Sequence, residues 1–167
     1  MLPLERPTFE WSVWGRVGIG VAFEPSTQPA STFESALSGE LTLAIGHHGD
    51  VRIGAWGEVR TSTPPVAGID FVVEGLPPRP LLSPIDGTGS LVVRIGANGR
   101  VLTSAVGLGY VGSFSGFDSS TNHVIGARAL ISMNAAIDDP GDWSATVALE
   151  VEPIGALEAI IDRVTHR

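Results

Sequence analysis

The chain of 167 residues is long enough for one domain with a substantial interior. Its net charge of −8 and pI near 4.8 exclude general nucleic-acid binding, which needs a basic surface to neutralise phosphates. The absence of cysteine excludes disulfides, thiolate metal sites and cysteine nucleophiles. Charged residues make up only 17% of the chain and the mean hydropathy is +0.25, a balance that predicts a greasy surface or a large assembly interface. All ten basic residues are arginine, as high-GC coding produces. No run of about 18 apolar residues is present, so no transmembrane helix is expected. No basic segment followed by an apolar stretch marks a signal peptide.

The first patterned stretch, Phe9–Phe23, sets the terms for the rest. Its odd positions are Phe9, Trp11, Val13, Gly15, Val17, Ile19, Val21 and Phe23; its even positions are Glu10, Ser12, Trp14, Arg16, Gly18, Gly20 and Ala22. That is the period-2 signature of a strand with one apolar and one mixed face. Small residues cover a solvent face poorly but suit a crowded lumen, such as that of a closed barrel of about eight strands. In that arrangement the apolar row faces outward, towards lipid or a partner. The alternative places the apolar row in a sandwich core, with the small residues under a loop.

Alternation resumes over residues 33–46 and, after a tight turn at His47–Asp50, over residues 51–61, where Arg52, Gly54, Trp56, Glu58 and Arg60 share the second row. A shorter strand is expected over residues 67–74. The four prolines of residues 75–87 exclude a central strand there. Strands at 90–97 and 100–112 flank Asn98-Gly99, the strongest local hairpin signal in the chain. The segments 24–32 and 113–122 read as polar loops, and the last strands lie at 123–134 and 143–152. The chain from 153 to 167 has helical spacing, with Ile154, Leu157, Ile161 and Val164 on one face and acids preceding bases. It reads as an amphipathic helix appended to a single β domain of residues 1–167, packed on a barrel end or on a neighbour.

The tests for chemistry are negative. Gly107, Gly109 and Gly112 fit GxGxxG, but the motif lies inside a strand pattern and opens no helix, whereas a dinucleotide site requires that context. His47, His48 and Asp50 could ligate a metal, but adjacent residues in a turn point apart, and they read as a solvated turn. Asp138, Asp139 and Asp142 surround Gly141 without EF-hand spacing and read as a surface turn. Nucleophile-elbow, zincin and P-loop motifs are absent. No catalytic, cofactor-binding or metal residue is therefore assigned, and the chain is read as a non-enzyme. The charges of the mixed rows, Glu10, Arg16, Glu34, Glu40, Arg52, Glu58, Arg60, Arg94, Arg128 and Glu150, are expected to pair with one another inside a barrel.

The Gly-rich mixed rows, the segment WSATVALEVEP at residues 143–153, and aromatics near strand ends (Phe9, Trp11, Phe23, Phe33, Phe71, Trp143) together resemble small outer-membrane β-barrels of high-GC Gram-negative bacteria. The resemblance implies an antiparallel up-and-down barrel, a structural or adhesive role, a bilayer as partner, and the outer membrane as location if the natural chain is exported. The alternative is a soluble β-sandwich or barrel that uses its apolar face in a cytoplasmic shell or multisubunit complex, with homo-oligomerisation as one form of that assembly. A barrel enzyme or a lipocalin-like binder would need an open apolar pocket.

Overall fold

Period-2 alternation becomes a closed wall whose two sides are chemically opposite. The computed structural model describes residues 9–24, 28–45, 51–61, 64–76, 87–115, 122–139, 141–154, 157 and 161. Within them lie eight strands: β1 (Phe9–Phe23), β2 (Ala30–Ile45), β3 (Val51–Arg60), β4 (Val66–Leu76), β5 (Gly87–Ala97), β6 (Val101–Ser115), β7 (Asn122–Ala136) and β8 (Trp143–Val151). Each pairs antiparallel with the next, and β8 returns to β1 from Gly15↔Val151 to Phe23↔Trp143, closing an antiparallel barrel. Closure leaves no sheet edge to template pairing with other chains.

One rim carries the starts of the odd-numbered strands and the ends of the even-numbered ones; we call it the first rim. β8 stops short of it at Val151. Beyond that point β1 and β7 pair directly and in parallel through Glu10↔Asn122 and Trp11↔His123, so the wall stays closed where the last strand has run out. Near the same rim β4 carries an irregularity between Glu74 and Leu76, where Gly75 has φ of 87°. A glycine in the left-handed region is the usual way to absorb an extra residue at a bulge.

The predicted strands are present, several with longer ends. β2 begins inside the stretch read as a polar loop, and β6 and β7 extend into Ser113–Asn122, because neighbouring strands supply ladder partners that local composition does not reveal. The hairpin between β5 and β6 turns one residue later than an Asn-Gly turn would. Gly99 has φ of 85° and no described non-glycine residue has positive φ, so Gly99 and Arg100 occupy the tip, as in a type II′ turn. Asn98 instead serves from the flank. Its Oδ1 accepts hydrogen bonds from the backbone N–H of Arg100 (3.0 Å) and Val101 (2.9 Å). Of the helix expected over residues 153–167, Pro153, Ile154, Leu157 and Ile161 are described and have helical backbone; the others lie outside the described residues, as do His47, His48 and Asp50.

The facing of the rows decides between barrel and sandwich. Ile19 is 69% exposed and Phe33 65%, while Trp14 and Asp70 are 0% and Arg94 1% exposed. The apolar row points out and the mixed row points into the lumen on every strand, which sets the sandwich arrangement aside. Small residues in the mixed row make room for large ones opposite. A Cβ on Gly107 would lie 2.1 Å from Leu130 Cδ2, so the leucine fills the space the glycine leaves, with Val72 and Val92 beside it.

Candidate functional site: the charged lumen

The lumen is assembled from the even positions of β1 to β5, β7 and β8, and the odd positions of β6. Because a side chain on one strand reaches across to strands that are distant in sequence, charges separated by up to 88 residues meet there. All ten residues nominated from the sequence (Glu10, Arg16, Glu34, Glu40, Arg52, Glu58, Arg60, Arg94, Arg128 and Glu150) are buried. They form three tiers.

At the first rim, Arg52 bridges Glu10 and Glu74, with Nη2 at 2.9 Å from Glu74 Oε2. In the middle, Arg94 holds three carboxylates from three strands: Glu40, Asp70 (3.3 Å) and Glu150 (2.6 Å). Arg128 joins the same tier through Glu40 at 2.5 Å, with a longer approach to Glu150. Towards the second rim, Arg16 lies 3.3 Å from Glu34 and 3.1 Å from Glu58, and Arg60 pairs with Glu58 and donates to Asn134 Oδ1 at 2.6 Å. Hydroxyls and amides continue the network: Ser12 donates to Glu40 at 3.2 Å, and Thr103 donates to Asn134 at 2.9 Å.

Two indoles build the middle tier as much as the acids do. The Arg128 guanidinium carbon sits 3.7 Å from the Trp14 ring centroid, and that of Arg94 5.5 Å from the Trp56 centroid. Aromatic faces attract cations most strongly where water is excluded. Each indole N–H is also satisfied, Trp14 by Ser12 Oγ at 2.7 Å and Trp56 by the Ile69 carbonyl at 3.1 Å.

Sequence reading missed Asp70 and Glu74 as members of the network. The signal was present: in β4, alternation that puts Ile69, Phe71 and Val73 on one row puts Asp70 and Glu74 on the other. Asp70 faces Arg94 directly in the β4–β5 register. A lone acid in an apolar run conceals this until the register is known.

Past the second-rim tier, a cavity of about 460 Å³ opens at the second rim, lined by Glu24, Glu34, Asn134, Asp142 and Ser144 among others. The wall outside carries a shallow apolar groove over Ile19, Val21, Phe33, Ile131 and Val147. Among the described residues no group of acids and histidines is placed to hold a metal ion. Gly107 and Gly109 of the GxGxxG match lie within β6, facing the lumen, where no helix N-terminus can receive a phosphate. Asp138, Asp139 and Asp142 are exposed in a turn closed by Asp142 N–H donating to the Asp139 carbonyl at 3.0 Å.

The outer wall is the complement of this interior. Every outward strand position whose side chain is described is uncharged. One large apolar residue per strand suffices to trace the belt around the circumference: Ile19, Leu37, Val59, Ile69, Ile95, Leu108, Ile131 and Val147, each at least half exposed. Outward aromatics are sorted to its two ends. Phe9, Trp11, Phe71 and Tyr110 lie towards the first rim; Phe23, Phe33 and Trp143 lie at the second, where Phe23 and Trp143 stack with centroids 4.2 Å apart. No protein-family model, curated protein or solved structure matches the chain.

Proposed function

We propose that the protein is a membrane-spanning β-barrel with a structural or adhesive role, held in the bilayer by its outer wall and closed to transport by its charged lumen. The observation that carries this reading is the continuity of the uncharged belt around all eight strands. A protein partner covers one side of a barrel, whereas only a surrounding solvent covers every side. The solvent that suits exposed isoleucine, leucine and valine on every strand is hydrocarbon. Strands of 9 to 16 residues tilted by roughly 40° are long enough to cross it. The aromatics at the two ends of the belt match the headgroup levels, where rings with an apolar body and a polar edge are favoured. No described helix is long and apolar enough to cross a membrane.

The lumen supports the structural part of the reading. Five arginines, two tryptophans and their carboxylate partners occupy the space that a channel would need. Outer membrane is the location this reading favours.

Cell fractionation tests it. The natural chain should be recovered from membranes only with detergent and should resist an alkaline carbonate wash. Recovery as a monodisperse species from the detergent-free soluble fraction would overturn the reading in favour of an assembly subunit.

A further inference from the structure

We propose that Leu157 and Ile161, which follow β8 on helical backbone, anchor the chain beyond β8 to the membrane surface, their side chains in the lipid at the headgroup boundary. This rests on the membrane reading and adds a second site of lipid contact, distinct from the barrel wall.

β8 ends at Val151, paired with Gly15 of β1 and Ala127 of β7, and beyond it those two strands pair directly through Trp11↔His123. The chain therefore leaves the wall close to the level of Trp11, among the aromatics of the first rim, and cannot continue within the sheet. Glu152 turns inward, 4% exposed, its N–H donating to the Gly126 carbonyl at 3.0 Å. Pro153, favoured in the first turn of a helix, follows at once.

Leu157 and Ile161, one helical turn apart, are 58% and 52% exposed and so are not packed into the barrel end. Ile154 precedes Leu157 by three residues, and in the sequence Val164 follows Ile161 by three, both helical spacings. An apolar stripe that begins at headgroup level, beside a wall already facing lipid, is placed to enter the same phase. The charges of the segment, Glu158 and Asp162 against Arg163 and Arg167, cancel. Apolar burial rather than headgroup charge must therefore drive the contact, and it should be equal on zwitterionic and anionic lipid.

Because the chain has no cysteine, single labels can be placed without other changes. The barrel, folded into phosphatidylcholine vesicles, would carry a fluorophore on Leu157→Cys, Ile161→Cys, Glu158→Cys or Asp162→Cys, with Val17→Cys on the barrel belt as reference. Quenching by lipids brominated in the upper acyl chain should be several-fold stronger at 157 and 161 than at 158 and 162, and unchanged when phosphatidylglycerol is added. Equal, weak quenching at all four positions with Val17→Cys strongly quenched overturns the anchor and leaves the membrane barrel standing. No quenching at Val17→Cys overturns the membrane reading itself. Quenching at 157 and 161 that appears only with anionic lipid overturns the apolar mechanism.

Discussion

At the scale of single residues, Arg94 is among the most heavily engaged of the described groups. It holds Glu40, Asp70 and Glu150 together while stacked over Trp56. Removing one partner from a buried ion network leaves charge without compensation, which costs about 3–5 kcal/mol. Arg94→Leu should reach the upper part of that range in urea unfolding. Arg52→Leu, which removes one partner from Glu10 and from Glu74 near the first rim, should fall towards its lower end. Arg100→Leu, at the exposed hairpin tip, should change stability by no more than about 0.5 kcal/mol. Equal effects for the three would mean that the lumen charges are hydrated. Glycines of the two faces should separate in the same way. Gly107→Val must displace Leu130 and the Ala129 carbonyl, an overpacking cost of about 1–3 kcal/mol or more, whereas a Cβ on outward Gly39 meets nothing within 4 Å. Gly39→Val should therefore be close to neutral in the same unfolding measurement.

At the scale of elements, the β5–β6 hairpin isolates backbone conformation from packing. A Cβ on Gly99 has open space around it, so any penalty on substitution comes from its φ of 85° alone. Gly99→Val should lose about 1–3 kcal/mol, since a β-branched residue is poorly tolerated in the left-handed region. Gly99→Asn should recover part of that loss, because asparagine visits this region more readily. Thermal unfolding of the two variants measures the difference, and identical midpoints would contradict the turn geometry. The strands themselves were legible in the sequence wherever alternation was long. β1 could be bounded from its own sequence because both of its rows are distinctive. The ends of β2, β6 and β7 were not legible, since Ser31, Ser113 and Asn122 belong to strands only through the partners opposite them. The ten lumen charges could be read from row parity alone. What parity could not supply was the pairing, because Arg94 meets Glu150 and Arg128 meets Glu40 across the barrel, a contact fixed by closure and stagger rather than by any local pattern.

At the scale of the whole molecule, the wall inverts the usual arrangement of a water-soluble protein, with charge inside and hydrocarbon outside, and this inversion makes the membrane reading sensitive to depth. An arginine placed on the lipid face of a barrel costs about 2–4 kcal/mol at the bilayer midplane and about 0–1 kcal/mol near the interfaces. Val17 sits half-way along β1, 54% exposed, midway between the aromatics of the two rims. Ser31 faces outward near the start of β2, opposite Val21 and close to the level of Phe23 and Trp143. For the barrel folded into vesicles, Val17→Arg should therefore lower unfolding free energy by about 2–4 kcal/mol and Ser31→Arg by less than about 1 kcal/mol. If the wall faces water instead, both changes replace or flank exposed apolar surface with a hydrated charge, and neither should cost more than about 0.5 kcal/mol. A subunit interface predicts a third pattern: Val17→Arg would weaken self-association while leaving the isolated barrel intact. Reversible urea unfolding of the two variants, in vesicles of fixed composition, separates the three outcomes. The gradient between positions 17 and 31 carries the argument, because only a medium that changes from hydrocarbon to headgroup along the barrel axis can produce it.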